Sequence, residues 1–145
     1  MKKILTFALT LMLALCALLG LTACGDKDTV TGIEGTYKFY LLQAGTNVYH
    51  VGDDYYGTLP EDYDTVTINK DGTWSERSVD VSMSEPIINQ YTGTWELKEG
   101  HTYTFKILTL NGEDRSAEDL TTTAEIVNGV YMTYELDFFR VLVRA

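Results

Sequence analysis

Over most of its length the chain alternates apolar and polar residues one by one, in short runs that end at turn residues. A period of two is typical of β-strands with one buried face. In the run that begins at Thr36, Tyr37, Phe39 and Leu41 are predicted to share one face, with Lys38 on the other. No stretch keeps a helical period for three turns, and "EDRSAEDL" (113–120) predicts one or two helical turns at most.

Three dipeptides mark hairpin turns between these runs: Asp71-Gly72, Glu99-Gly100 and Asn128-Gly129. Hairpin loops need residues with positive φ, which Gly, Asn and Asp adopt at low cost. The alternating strands beside the first two turns predict these inward side chains: Val66, Ile68, Trp95, Leu97, Tyr103, Phe105 and Ile107. The segment 138–145 predicts a last, mostly apolar strand.

The tripeptide Gly-Thr-aromatic occurs three times, at residues 35–37, 72–74 and 93–95. It predicts the start of a strand, in which Gly ends a turn at positive φ, Thr begins the extended segment and the aromatic residue is the first inward anchor. Trp74 and Trp95 are therefore predicted to pack in the core. The spacing is too uneven for a repeat protein.

About eight short strands joined mainly by hairpins predict an all-β fold, an antiparallel up-and-down meander closed into a barrel. Closure removes the exposed edges that such a sheet would otherwise have. The alternative is a β-sandwich of the immunoglobulin type. We favour the barrel because the Cys and core-Trp signature of that sandwich is missing and local hairpins dominate.

The first 23 residues form a predicted signal peptide, with Lys2 and Lys3 before a long apolar run and small residues at its end. Residues 4–23 are also about as long as the ~20 residues of a membrane-spanning helix. The ending "LTAC" favours the first interpretation, because it resembles the lipobox of bacterial lipoproteins. That resemblance implies cleavage before Cys24 and a diacylglycerol on its thiol. We expect residues 24–34 to be a tether and residues 35–145 the domain.

The predicted mature chain is strongly acidic and has one cysteine. Loss of Lys2 and Lys3 lowers the Lys and Arg count from 11 to 9 against 21 Asp and Glu, a net charge of −12. Phosphate backbones and anionic headgroups repel such a chain, so we expect no nucleic-acid partner and a membrane attachment through the lipid on Cys24 alone. With no second cysteine, a disulfide is excluded in the mature chain. We expect an extracytoplasmic monomer.

The segments "GTYKFY", "VTINKDGTW" and "GTWELKEGHTYTFKI" resemble the bacterial lipocalin-like domains of surface lipoproteins. They also resemble the small β-barrel beside the catalytic domain of some arabinan-degrading enzymes. The resemblance covers residues 35–107 best. Lipocalins open with Gly-x-Trp and close with an Arg that packs over that Trp. Here Tyr37 stands at the Trp position, and the resemblance implies Arg140 or Arg144 as the closing Arg.

The chain offers little catalytic chemistry. Its two histidines are His50, near Asp53 and Asp54, and His101 beside a predicted turn. A His–Asp pair is able to orient a general base, but no nucleophile motif such as Gly-x-Ser-x-Gly accompanies it. We therefore predict a protein that is not an enzyme and has no cofactor.

The segment 52–64, "GDDYYGTLPEDYD", holds the candidate site residues. Five carboxylates are candidate calcium ligands, although their spacing departs from the EF-hand form: Asp53, Asp54, Glu61, Asp62 and Asp64. Tyrosine offers a flat apolar face with a polar tip, which suits a partner protein or a sugar. The candidate ligand-binding aromatic residues are Tyr55, Tyr56, Trp74 and Trp95.

Three functions remain open at this point. The leading one is a non-catalytic, lipid-anchored barrel that binds a small apolar molecule inside or an envelope partner at its rim. The second is an accessory module of extracellular polysaccharide machinery, and the third is a hydrolase. A cavity above ~300 Å³ lined by aromatic residues favours small-molecule binding, whereas a solid interior favours the accessory role.

Overall fold

A computed structural model of the chain describes residues 32–145, except Met83 and Leu136. The predicted signal peptide, Cys24 and most of the predicted tether lie outside the described residues, so the predictions made for them stay predictions. Within residues 32–145, no helix combines the length and apolar character that a membrane span requires.

The described chain consists of β-strands and one 3₁₀ turn. The strands are β1 (Gly35–Ala44), β2 (Asn47–Tyr49), β3 (Asp64–Ile68), β4 (Thr73–Asp80), β5 (Ile87–Glu99), β6 (Thr102–Leu110), β7 (Glu113–Asp114), β8 (Thr121–Val127), β9 (Val130–Glu135) and β10 (Phe138–Arg144). The 3₁₀ turn, Ser116–Glu118, lies in the segment predicted to hold a turn or two of helix.

Eight of the strands form a closed antiparallel barrel in the order β1-β3-β4-β5-β6-β8-β9-β10. Closure is made by β10, which pairs along β1 from Tyr37↔Arg144 to Ala44↔Phe138. The short strands β2 and β7 pair with β1 and β6 outside this ring. The predicted meander and barrel are confirmed, and the sandwich alternative is wrong because one continuous sheet closes on itself.

The predicted hairpin turns are confirmed at all three positions. Gly72, Gly100 and Gly129 have φ of 83°, 57° and 76°, and Asn128 has φ of 51°. Positive φ at both Asn128 and Gly129 gives the two-residue turn that matches strand twist. In the first turn, the carboxylate of Asp71 accepts hydrogen bonds from the Thr73 amide and hydroxyl.

The end of the barrel that carries these three hairpins, hereafter the closed end, is filled by side chains. The buried cluster there consists of Tyr37, Val66, Ile68, Trp74, Phe105, Ala124, Ile126, Tyr131 and Leu142. Its aromatic rings contact one another, with centroids 5.2 Å apart for Trp74 and Phe105 and 5.7 Å apart for Phe105 and Tyr131. Tilted and edge-to-face pairs at these distances stabilise a core beyond their burial alone.

The Gly-Thr-aromatic tripeptides begin strands in two of three cases. Gly35 and Gly72 have positive φ and precede buried aromatic residues, as predicted. Gly93 instead lies within β5, where a side chain would collide with the Lys106 carbonyl and crowd the Trp74 indole. The missing side chain lets Trp74 Nε1 donate to the Lys106 carbonyl at 3.1 Å. The third glycine therefore serves close packing instead of a turn.

Two predicted inward positions are wrong. A register shift between Phe39 and Leu41 turns Leu41 to the outer face, where it clusters with Val130, Met132 and Val141, and turns Leu42 inward. A β-bulge of this kind inserts one residue and exchanges the two faces beyond it. Leu97 is 57% exposed because β5 extends past the closed end beyond the half-buried Trp95.

The closing Arg is Arg144. Its guanidinium lies 5.3 Å from the centroid of the Tyr37 ring, and Nη2 donates to Tyr37 Oη at 2.9 Å and to the Gly32 carbonyl at 2.8 Å. Tyr37 Oη in turn donates to the Ile33 carbonyl at 2.6 Å. Burial raises the pKa of Tyr37, and Arg144 partly offsets that rise. This contact covers the closed end of the barrel. Arg140 does not have the closing role and lies elsewhere in the barrel.

Candidate ligand-binding site

A cavity of about 330 Å³ occupies the opposite end of the barrel, hereafter the mouth. At the mouth β1, β4 and β9 end and β3 and β10 begin, and the long connection between β2 and β3 lies beside them. The lining residues are Leu42, Tyr55, Tyr63, Asp64, Ser78, Val79, Asp80, Thr133, Glu135, Phe138 and Arg140. Several of them are exposed, so the cavity opens at the surface.

One part of the cavity wall is apolar and aromatic. Tyr55 packs against Phe138 with ring centroids 6.3 Å apart, and Tyr63 meets the buried Phe39 edge-on at 4.9 Å. Leu42 adds aliphatic surface from β1. Burial raises the pKa of Tyr63 to about 12, so its phenol stays neutral near neutral pH. Rings of this kind present a hydrophobic face together with a polar tip.

The inner end of the cavity holds a buried ion network around Arg140. Nη1 of Arg140 donates to Asp64 Oδ2 at 2.9 Å and to Glu76 Oε1 at 2.8 Å. Its Nε donates to Thr133 Oγ1 at 3.2 Å. Asp64 is 2% exposed and Glu76 is 8% exposed. One guanidinium therefore faces two carboxylates away from solvent, which leaves one excess negative charge when both are ionised.

Asp64 is the member of this network with incomplete bonding. Its Oδ1 is buried and accepts no hydrogen bond within the described part of the chain. Burial raises the pKa of Asp64 to about 7; Arg140 lowers it and Glu76 raises it. A buried acceptor without a donor costs about 1–3 kcal/mol. Asp64 thus changes its charge near neutral pH at the inner end of a cavity.

The rim of the cavity adds further negative charge. Asp80 and Glu135 line it and are exposed. Asp80 accepts hydrogen bonds from the Ser82 amide and hydroxyl, which lower the pKa of its carboxyl group. With Asp64 and Glu76 inside, four carboxylates and one guanidinium surround the space, so its electrostatic potential favours cations.

The predicted ligand-binding aromatic residues separate in the structure. Tyr55 lines the cavity, whereas Tyr56 is 80% exposed and lies outside its lining. Trp74 is 2% exposed in the closed-end core, which confirms its predicted position in the core. Trp95 is half-buried at the closed end, where its Nε1 donates to the Asn69 carbonyl at 3.0 Å. Both tryptophans therefore lie away from the mouth.

The candidate calcium ligands do not converge. Within the described residues no three His, Cys, Asp or Glu side chains are grouped as a metal site. Asp53 accepts a hydrogen bond from the His50 amide at 2.7 Å, and Asp62 pairs with Arg77 at 2.9 Å. Asp64 is bound to Arg140 instead.

Neither histidine sits in the cavity. His50 is exposed; its Nδ1 lies 3.1 Å from the Tyr40 carbonyl, and its contact with Asp53 runs through the backbone amide, not the ring. His101 is exposed in the turn between β5 and β6, as predicted. The His–Asp arrangement that would orient a general base is thus not formed by these two residues.

Sequence reasoning missed the ion network. The motifs predict at most a closing role for Arg140 and no role for Glu76 or Thr133. Glu76 lies two residues after the inward Trp74, and Arg140 lies two residues before the inward Leu142. A charged residue at an inward position of an apolar strand needs a buried partner, and that signal was available in the alternation.

No protein-family model and no curated protein matches the chain. Two solved structures have a similar fold. An uncharacterized protein from Bacteroides eggerthii matches with TM-score 0.50 at 12% identity, over 79% of this chain and 100% of that one. A lipocalin-like protein from Bacteroides uniformis matches with TM-score 0.51 at 11% identity, over 78% and 98% of the respective chains. At such low identity the likeness concerns the fold, which is a lipocalin-like barrel.

Proposed function

We propose that this chain is a non-catalytic, lipid-anchored extracytoplasmic protein whose barrel binds a small molecule with an apolar part at its mouth. The barrel supplies a rigid container, and the lipid on Cys24 holds it at the membrane surface. The polar groups at the inner end orient the ligand, and the aromatic walls cover its apolar part.

The observation that carries this proposal is the unequal filling of the barrel interior. The closed end is packed with aromatic and aliphatic side chains, whereas the mouth encloses about 330 Å³. Small-molecule sites are typically concavities of ~300–1,000 Å³ with apolar walls and a few polar groups. The volume of the mouth cavity lies at the small end of this range, and its lining combines apolar and aromatic residues with polar and charged groups.

The binding function is tested with a substitution that fills the cavity. Ser78 lines the cavity from β4, so Ser78→Trp is expected to abolish binding of 2-phenylethanol, a neutral and water-soluble aromatic probe. Saturation-transfer NMR on the full-length protein measures the binding. Ser75→Trp is the matched control, because Ser75 lies on the same strand at a position of opposite parity. Unchanged binding in Ser78→Trp, or no binding by the wild type, would refute the proposed site.

The anchoring function is tested at Cys24. Mass spectrometry of the membrane fraction is expected to identify an N-terminal peptide that begins at a lipid-modified Cys24. Cys24→Ala is expected to abolish the lipid-modified peptide and either to release the protein or to stall it with residues 1–23 still attached, because the acidic domain is repelled by anionic headgroups. An unmodified Met1 terminus in the membrane fraction would contradict this part of the proposal.

A further inference from the structure

We propose that the mouth cavity selects amines: the N–H donors of a ligand ammonium hydrogen-bond to the free Oδ1 of Asp64, and the apolar part of the ligand packs against Tyr55 and Phe138. This inference rests on the proposed binding function and specifies its ligand class. It is carried by the hydrogen bonding at the inner end, by the charge around the cavity and by the aromatic walls.

The carboxylate of Asp64 has incomplete hydrogen bonding. Oδ2 accepts from Arg140, but Oδ1 is buried without a donor in the described part of the chain. Because Asp64 lines the cavity, we infer that a ligand there supplies the missing donor. An ammonium group supplies up to three N–H donors and no acceptor, which matches an acceptor-only carboxylate. Hydrogen bonds between charged groups are about twice as strong as neutral ones.

The charged groups around the cavity are mostly acidic. Arg140 already donates to Asp64, Glu76 and Thr133, and the remaining charged groups around the cavity, Asp80 and Glu135, are acidic. An anionic ligand would approach Arg140 only past these carboxylates. A cationic ligand, by contrast, is attracted at the rim and neutralises the excess negative charge at the inner end.

Part of the cavity wall consists of aromatic side chains. Tyr55 and Phe138 lie beside each other at the mouth, and Tyr63 lies deeper. Aromatic faces attract ammonium groups during entry and also cover an aryl or alkyl chain. The cavity volume of about 330 Å³ suits a single ring with a short amine chain. A large lipid would extend far out of the mouth.

Amine binding is expected to depend on pH through Asp64. Titratable and charged groups surround Asp64 from β4, β5, β9, β10 and the loop before β3. They are Arg140, Glu76, Tyr63, Tyr91 and Tyr131, with Asp80 and Glu135 at the rim. Burial raises the pKa of each of these three tyrosines, and arginine keeps its charge throughout. Asp64, with a pKa of about 7, loses its proton as the pH rises toward 8. An alkylamine resembles lysine, with a pKa of about 10.4, and stays protonated over this range. Affinity should therefore increase with pH.

Calorimetry on the full-length protein in a non-ionic detergent compares three probes of similar size: phenethylamine, the neutral 2-phenylethanol and the anionic 3-phenylpropanoate. Phenethylamine is expected to bind about tenfold more tightly than 2-phenylethanol at pH 8, the equivalent of one charge-assisted hydrogen bond. Its affinity should fall about tenfold between pH 8 and pH 5.5, as Asp64 takes up a proton.

Asp64→Asn is the variant that separates a ligand contact from a structural role. It keeps the side-chain shape and an acceptor for Arg140 but removes the titrating charge. We expect it to remove both the preference for the amine and its pH dependence while 2-phenylethanol still binds. Asp71→Asn, in the hairpin between β3 and β4 at the closed end, is the matched control, and we expect it to retain the amine preference and the pH dependence.

The outcomes distinguish this inference from the proposed function. Equal binding of all three probes, or tighter binding of 3-phenylpropanoate, would overturn the selection of amines and leave a binding protein. An Asp64→Asn protein that binds phenethylamine with wild-type affinity and pH dependence would also overturn it. If neither the neutral nor the charged probes bind, the proposed function itself fails.

Discussion

Arg140→Met is expected to lower the free energy of unfolding by about 3–5 kcal/mol at pH 8, because it leaves two buried carboxylates without their cation. Asp64 and Glu76 are 2% and 8% exposed, and both accept from Nη1 of Arg140. Removal of one partner of a buried ion network is far more harmful than replacement of the whole network. Urea denaturation of the wild type and the variant measures the difference.

The pH dependence of this loss identifies its cause. Protonation of Asp64 removes one of the two uncompensated charges, so the deficit of Arg140→Met is expected to shrink as the pH falls from 8 to 5. The sign follows from the raised pKa of Asp64, whose proton is bound more tightly in the folded state. In the wild type, the same raised pKa makes the stability contribution of Asp64 greatest below pH 4 and lost as the pH rises through about 7.

Arg77→Met is the matched control for Arg140→Met. Arg77 lies on β4 and pairs with Asp62 at 2.9 Å, but both side chains are substantially exposed. Exposed ion pairs contribute about 0–1 kcal/mol, so this variant should unfold nearly as the wild type does. Equal losses for the two arginine variants would contradict a buried network at the inner end of the cavity.

Trp74→Ala is expected to lower the free energy of unfolding by about 3–5 kcal/mol through lost burial and the cavity it leaves. Trp74 is 2% exposed, packs edge-to-face on Phe105 and donates from Nε1 to the Lys106 carbonyl. The same change also leaves that carbonyl without its indole donor. Because typical domains have ~5–15 kcal/mol of stability, the variant should be close to unfolding at 37 °C.

Trp95→Ala is the comparison for Trp74→Ala. The sequence predicts Trp95 as a fully inward anchor, with a loss as large as that of a core tryptophan. In the structure it is half-buried and packs against Tyr103 with centroids 5.9 Å apart. We therefore expect a loss of about half that of Trp74→Ala or less, since the transfer contribution scales with buried area. If thermal or urea unfolding showed a larger loss of stability for Trp95→Ala than for Trp74→Ala, the placement of Trp74 in the core and of Trp95 at a half-buried position would be contradicted.

The sequence predicted the barrel because its evidence is local. Alternation at Val66, Ile68 and Phe105 and the turns at Gly72 and Asn128-Gly129 each depend on a few neighbouring residues. The structure confirms them. Consecutive hairpins then leave little choice of strand order.

The candidate site was harder to predict because its contacts are distant in sequence. Asp64 and Arg140 are 76 residues apart, and no spacing rule connects them. Their meeting depends on barrel closure between β1 and β10. The bulge after Phe39 also shapes the site, because it turns Leu42 into the cavity. Tyr55 could be predicted at the mouth from its loop, but the loop composition did not show which of its tyrosines would face inward.

The most direct test of binding at the mouth is an NMR titration that follows every backbone amide of the isotope-labelled protein as phenethylamine is added. We expect the chemical-shift changes to concentrate on residues that line the cavity, among them Leu42, Tyr63, Asp64, Thr133 and Arg140. The chemical shifts of amides around Trp74 in the packed closed end should not change. Saturable shifts centred on the closed end, or no shifts up to millimolar probe, would contradict a binding site at the mouth of this barrel.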